Sequence, residues 1–550
     1  MVVTGRSFWR GGAVGIAATL FLTLSFSNLP GTSGDDTTTN STTKKTSTTS
    51  KTTKTTKTRK TSTTKKATPA PKTTAVKQTS AANPSNGTTQ RPRPKPKPLK
   101  PVPLDPLDPV PIEIGEGNAL GSFFRDLANL ESPPADASQP PVIRIIHFGD
   151  SHVASDYWAG EIREKLQARF GDGGPGFVLP GRPWPSIRYV EAKSLDGQYW
   201  RTDGLRLGEN DGVVGLGGMS LESYREASPA SALASFSQFQ ILAATSPGSA
   251  CFQVQVDDVD FHDLTSNTEH LVPVAAPSAP DDLVPEPSSK SLGGGAGDPP
   301  PPPAPLAPIK RSKRRRKTTP PTPPFRPWPA DSPLDLLELS NSTPLVAGPH
   351  TLSIRSNCGS QARLLGVELD KGLKGVIYDT DGVNGARLAD IEKPLPVLRK
   401  ALLQQSHPTL IIVSYGTNDI GTKGFTSSDY EERAFQILSK LKTDAGDASI
   451  LVTGPTDRGS PRKKTRAFLQ AAQAELQPAL RRAALRAGCA YWDQQAAMGG
   501  RGAMTRWVRA GLANYDYVHF SGLGYKKLAD MLYDQIMAEY SNFQKAKASE

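Results

Sequence analysis

The stretch Val142-Ile143-Arg144-Ile145-Ile146-His147-Phe148-Gly149-Asp150-Ser151-His152 is a run of β-branched and aromatic residues that stops at Gly-Asp-Ser. An apolar run closed by turn formers predicts a buried strand followed by a tight turn. Directly after it, Trp158, Ile162, Leu166 and Phe170 recur every four residues and Gly171 ends the pattern, which predicts an amphipathic helix. Ser151 is thereby placed at a strand-to-helix junction, where a parallel sheet presents side chains to ligands beyond its carboxyl edge.

Two more strand-turn units follow far downstream. Leu410–Tyr415 runs into Gly416-Thr417-Asn418-Asp419, and Ile450–Thr453 runs into Gly454-Pro455. Helical patterns over 430–442 and 462–487 alternate with these strands and with Cys489–Trp492, and a last amphipathic helix carries Leu528, Met531, Leu532 and Ile536 on one face. Strand-helix alternation predicts an α/β fold built as a three-layer α/β/α sandwich, with segments 113–189 and 371–550 forming its two parts. Between them, 190–370 has alternating segments such as Phe239–Leu242, Cys251–Val256 and His350–Ile354, which predict an inserted β-sandwich. A Pro- and Gly-rich stretch over 275–330, with five prolines at 299–303, interrupts this insert and is expected to be disordered.

Outward from the folded body, residues 35–112 are first Thr/Ser/Lys-rich and then Pro-rich, with no apolar period to build a core, and read as a long disordered N-terminal tether. Residues 1–34 hold Arg6 and Arg10 ahead of an apolar run from Gly12 to Leu29, the layout of a signal peptide or an N-terminal membrane anchor. Export to the periplasm or cell envelope is the expectation. The net charge of +12 is a property of the flexible parts: 37–100 holds sixteen Lys or Arg and no acid, 310–317 holds seven more, and the remainder stands at −11. Nucleic acid is therefore not an expected partner of the body, whereas the tail lysines suit an anionic envelope polymer. Cys251, Cys358 and Cys489 lack the spacing of a zinc or redox motif; a Cys251–Cys358 disulfide and three buried thiols both remain open.

A serine hydroxyl attacks an ester when a base takes its proton, a third group orients that base, and donors await the oxyanion. Asp516-Tyr517-Val518-His519 places a carboxylate three residues before an imidazole, so that Asp516 can hold His519 Nδ1 while Nε2 faces Ser151. The oxyanion donors expected are the backbone N–H of Ser151, that of a glycine in Gly382-Val383-Asn384-Gly385, and the Asn418 amide. Singly these motifs are common. Jointly, Ser151 and Asn418 each closely follow a predicted strand, as one shared site requires.

Gly149-Asp150-Ser151, Gly385, Gly416-Thr417-Asn418-Asp419 and Asp516–His519 resemble the four blocks of the SGNH (GDSL-like) hydrolase family. The resemblance implies a flavodoxin-like α/β/α fold, Ser151 as nucleophile, His519 as base, Asp516 as its orienter, and Ser151, Gly385 and Asn418 as the oxyanion hole, with no metal and no cofactor. The words HFGDSH, FGDGGPGF (170–177), DGVNGA and VHFSGLGY (518–525) are similar to those of bacterial peptidoglycan O-acetylesterases, which carry a carbohydrate-binding-like β-domain at the place of 190–370. His152 stands where the general signature has leucine, and the Pro/basic interruption and Thr/Lys tail are outside the family pattern. The implied activity is an exported serine esterase acting on O-acetylated glycan, most directly peptidoglycan. Another carbohydrate ester, an acetyltransferase, and a non-catalytic envelope-anchored glycan-binding protein are the competing readings. Asp150 and Asp419 read as turn-fixing residues, His147 and His350 as hydrogen-bonded structural histidines, and Trp184 and Trp200 as packing residues.

Overall fold

The structure, a computed structural model, describes residues 102–549 other than 116, 134–140, 182–186, 196, 207–209, 224–228, 247–250, 258–261, 264–326, 329–333, 342–343, 357–361 and 423. The targeting segment, the Thr/Lys tail, Trp184, Cys358 and most of the 275–330 interruption lie outside the described residues. Helix α1 (Gly121–Glu131) leads into strand β1 (Val142–Gly149), and the next turn opens the short α2 (Ser151–Ala154) and then α3 (Trp158–Phe170). Strands β2 (Asp172–Gly174) and β3 (Gly176–Val178) follow. Ten strands then succeed one another: β4 (Ala192–Leu195), β5 (Trp200–Gly204), β6 (Met219–Ser223), β7 (Ala230–Phe236), β8 (Gln238–Thr245), β9 (Phe252–Val256), β10 (His262–Asp263), β11 (Asp335–Ser340), β12 (Gly348–Ser356) and β13 (Ala362–Asp370). The chain returns through β14 (Gly375–Gly382), α4 (Pro396–Ser406), β15 (Leu410–Ser414), α5 (Ser427–Ala445), β16 (Ser449–Thr453), α6 (Lys463–Arg486) and β17 (Ala490–Trp492). It ends with α7 (Gln494–Ala497), α8 (Ala503–Arg509) and α9 (Gly522–Ser549).

One sheet has the order β17-β16-β15-β1-β14-β2, and every pairing in it is parallel. Its strands are apolar on both faces because both are covered. Ile143, Ile145, Tyr378, Ile412 and Leu451 face a core shared with α1, α3 and α9, whereas Phe148, Ile411, Val413 and Val452 face one shared with α5 and α6. This is the expected three-layer sandwich. The strand ends are aligned: Gly149, the last residue of β1, is opposite Gly382 of β14 and Ser414 of β15. The turns carrying Ser151, Gly385 and Asn418 therefore leave one edge side by side.

Strands β4 to β13 form two antiparallel sheets, β10-β9-β12-β7-β4 and β11-β8-β13-β6-β5, with β3 added to the second beside β13. Their facing sides share a core containing Phe236, Ile241, Phe252, Leu352, Leu364 and Val367, the packing of a sandwich. Cys251, in this core, is disulfide-bonded; Cys489 is a free, buried thiol of the other body. The segment FGDGGPGF is where the chain changes sheets, since β2 pairs parallel with β14 and β3 antiparallel with β13. An ion network closes this joint: Arg144 of β1 meets Glu368 of β13 at 2.7 Å and Asp379 of β14 at 3.0 Å.

Two stretches differ from the sequence reading. The tether expected to run disordered to residue 112 is laid on the body from Val102 onward. Val102 donates to the Arg509 carbonyl, Val110 accepts from Trp492 Nε1 at 3.0 Å, and Leu104, Leu107, Val110 and Ile112 pack on the α1/α3/α9 core. Apolar residues spaced through an extended Pro-rich strip bury surface without any helical or strand period. Within the interruption expected to be disordered over 275–330, Trp328 is likewise placed, buried in one core with Leu336 and Phe177.

Candidate active site

At the shared edge, Ser151 is the first residue of α2, capped by Asp150, whose Oδ1 accepts the His152 N–H at 2.9 Å. The turn needs glycine at two points. A Cβ on Gly149 would stand 2.3 Å from Val153 Cγ2, and one on Gly382 would stand 2.1 Å from the Ala154 nitrogen, so the end of β1 presses on a side chain of α2 and the end of β14 on its backbone. Ser151 Oγ lies 2.9 Å from His519 Nε2, and His519 Nδ1 lies 2.8 Å from Asp516 Oδ2. The second carboxylate oxygen accepts the backbone N–H groups of Val518 at 2.9 Å and His519 at 3.0 Å. Between them Tyr517 adopts the left-handed conformation (φ 61°), a strain of about 1–3 kcal/mol, and is held there by the Gly459 N–H to its carbonyl and by its own N–H to Asn514.

The electrostatics suit a base. The Asp516 hydrogen bond raises the His519 pKa above its ordinary 6.5, with burial opposing. Burial pushes Asp516 up, but the bonds from His519 and from two backbone N–H groups outweigh it and hold the carboxyl below its ordinary value. A neutral His519 with Nδ1–H donated to Asp516 leaves the Nε2 lone pair on Ser151.

The oxyanion side is differently arranged. Gly385 lies in the Val383–Ala386 turn with φ 76°, and Asn418 follows β15 as expected, but its amide is engaged: Nδ2 donates to Ala386 O at 3.0 Å and to Asp150 Oδ2 at 3.3 Å. The amide thus ties the glycine turn to the residue before the nucleophile. To serve an oxyanion it exchanges one of these bonds, and the longer one, to Asp150, is the weaker. Asp150 is buried, which raises its pKa to about 6 against the lowering effect of its His152 backbone bond. Asp419 is also buried and raised to about 7, while the Leu388 N–H opposes the shift.

His147 is buried beneath the edge, with Nε2 2.7 Å from Ser414 Oγ and Nδ1 2.9 Å from Tyr378 OH; burial lowers its pKa to about 3. His350 bonds Asp257 and the Val346 carbonyl far from Ser151 in sequence and in the sandwich sheet. Trp200 packs against the sandwich core. Three neighbours of the site have no sequence motif that singles out their role. Arg458, on the loop after β16, donates to the Thr417 carbonyl at 2.7 Å and so holds the turn carrying Asn418; its charge also opposes protonation of His519. His152 sets its ring 5.5 Å from that of His519 and bonds Tyr525 OH at 3.0 Å. Tyr157, half-exposed, stacks on Tyr525 at 6.1 Å and carries the Arg188 guanidinium 4.3 Å over its ring.

The GDSL-like Lipase/Acylhydrolase family model matches residues 346–527, which include Gly385, Asn418, Asp516 and His519. Among solved structures, a peptidoglycan O-acetylesterase ("in action, 5 min") is similar with a TM-score of 0.53 and 21% identity, covering 78% of this chain and 99% of that one. A lipase/acylhydrolase from Enterococcus faecalis (TM-score 0.24, 19% identity, 30% of this chain and 77% of that one) and a carbohydrate acetylesterase from Sinorhizobium meliloti (0.23, 14%, 30% and 79%) are more distant. No curated protein sequence matches the chain. The fold is that of an SGNH (GDSL-like) hydrolase, similar to the peptidoglycan O-acetylesterase structure, and the part of the chain that matches the GDSL-like family model carries Gly385, Asn418, Asp516 and His519.

Proposed function

We propose that this chain is an exported serine esterase that removes O-acetyl groups from cell-wall polysaccharide, peptidoglycan above all, through an acyl-serine intermediate. The observation that carries the chemistry is the continuous Ser151–His519–Asp516 relay, with contacts of 2.9 and 2.8 Å. Ser151 Oγ attacks the acetyl carbonyl carbon as its proton passes to His519 Nε2. The oxyanion is received by the Ser151 and Gly385 N–H groups and by Asn418 once it leaves Asp150. The C–O bond to the sugar then breaks, and His519 returns the proton to the leaving alkoxide. Water, deprotonated by the same nitrogen, attacks the acetyl-serine and releases acetate.

The substrate class is supported by the likeness to the peptidoglycan O-acetylesterase structure, over a share of the chain larger than the parallel-sheet body alone. Export is supported by the apolar run behind Arg6 and Arg10, and attachment to anionic envelope polymer by the sixteen basic residues of 37–100. The test is acetate release by the full chain from O-acetylated peptidoglycan and from acetylated xylan, with Ser151→Ala alongside. Release from peptidoglycan that vanishes in the variant supports the proposal. Release from xylan only retains the chemistry and discards the substrate, and release from neither favours a glycan-binding role.

A further inference from the structure

The acetyl group is small, so selection among acetyl esters rests on what contacts the alcohol side. Between the inserted sandwich and the oxyanion turn lies a small open depression lined by Ile187, Leu205, Arg206, Met219, Val383 and Asn384. Asn384 is the neighbour of Gly385, and Ile187 the neighbour of Arg188, so one hollow joins the oxyanion turn to the segment beside α2.

One guanidinium, that of Arg206, lines this hollow, and a second, that of Arg188, belongs to the residue after the lining Ile187. Arg206, just after β5, is exposed, and its Nε lies 4.0 Å from where a Cβ on Gly385 would be. The carboxylate beside it, Asp390 Oδ2, is 3.7 Å away, beyond hydrogen-bond reach, and Asp390 is already met by Lys393 at 2.7 Å and by the Arg387 N–H at 2.8 Å. Arg188 is also exposed. Its backbone N–H bonds the Ala154 carbonyl at 3.2 Å, on the helix that begins with Ser151, and its guanidinium sits 4.3 Å over the ring of Tyr157, donates one N–H to the Tyr157 hydroxyl, and is so tied to a ring that stacks on Tyr525. Stacking on an aromatic ring holds a guanidinium in place without using all its donors. Both charges stand on a body whose sequence outside the two basic segments is net acidic, so one beside the Gly385 turn and one beside α2 are not a sample of a generally basic surface.

We propose that Arg206 and Arg188 form a carboxylate-reading subsite for the alcohol portion of the substrate, making the enzyme selective for acetyl esters of carboxylate-bearing glycans over neutral ones. The proposal rests on the acyl-transfer reading of Ser151. Planar guanidinium forks match carboxylates bidentately, and such charge-assisted bonds discriminate strongly when the partner is missing.

The experiment compares kcat/KM of the full chain on two matched pairs: O-acetylated peptidoglycan before and after carbodiimide amidation of its carboxylates, and acetylated pectin before and after methyl esterification. The carboxylate forms are expected to be turned over roughly tenfold to a hundredfold better. R206Q and R188Q should each lose most of that preference, R206K should keep part of it, and their rates on 4-nitrophenyl acetate should fall far less than those on the carboxylate glycans. Unchanged thermal unfolding of the variants separates this from a folding defect. Equal turnover within both pairs, or a preference untouched in both Gln variants, overturns the subsite alone. Hydrolysis of 4-nitrophenyl acetate with no release from any of the glycans also overturns it while leaving the esterase chemistry standing. Loss of Ser151-dependent activity on every ester, 4-nitrophenyl acetate included, overturns the esterase reading and the subsite with it.

Discussion

The two sides of Ser151 are built differently. On the base side, His519 and Asp516 make every contact the chemistry needs, within one four-residue loop and with side chains 40% and 47% exposed. On the oxyanion side, the Asn418 amide, coming from a different strand, spends its two hydrogens on Ala386 and on the buried Asp150. A short loop satisfies itself locally, whereas a donor that must wait for a transient charge is held by other acceptors until that charge arrives. The base side is thus preformed and the oxyanion side latched.

The largest effect expected is from Ser151→Ala or His519→Ala, each lowering kcat for acetate release by on the order of 10⁴-fold or more, with little further loss on combining them, because they act as a unit. Additive losses in the double variant would break the picture of one relay. Next, Asn418→Ala should lower kcat by about 10²–10³-fold with KM little changed, the mark of an interaction made only in the transition state; a pure KM effect would show that the latch never opens to the oxyanion. Arg458→Met, which removes the hold on the Thr417 carbonyl, should lower kcat by about tenfold, the cost of one charge-assisted hydrogen bond, and thermal unfolding should register less change than kcat.

The smallest effect is a shift in pH dependence. His519 acts when neutral, and Asp516 raises its pKa, so kcat/KM should climb with pH along a limb lying above the ordinary 6.5 of histidine. Asp516→Asn should move that limb to lower pH as it lowers the rate, and Arg458→Met should move it higher, since the arginine charge opposes protonation. A limb that stays put in both variants would mean that the titrating group is not His519.

Much of this was legible because the informative stretches are local. Val142–Gly149, Leu410–Ser414 and Ser449–Thr453 are apolar runs of strand length ending in turn residues, and they are neighbours in one parallel sheet. Asp516 and His519 are three residues apart, so their contact is nearly written in the spacing. What was not legible is non-local. Nothing in the spacing shows that Asn418 bonds Asp150, 268 residues earlier, or that Arg458 reaches back to Thr417. The packing of Leu107 and Ile112 from a Pro-rich strip carries no period to read, and the tether was extended too far for that reason. The joint was equally hidden: Arg144 reads as a break in an apolar strand, yet it meets Glu368 of the sandwich and Asp379 of the sheet, and removing one partner of a buried ion pair typically costs about 3–5 kcal/mol.

The most direct test of the central claim is covalent. The full chain is treated with a fluorophosphonate, and the adduct is located by intact mass and peptide mapping. The account predicts a single adduct on Ser151, formed in parallel with loss of esterase activity and absent from His519→Ala, where the hydroxyl has no base. An adduct on another serine, or full inactivation with Ser151 unmodified, would contradict it.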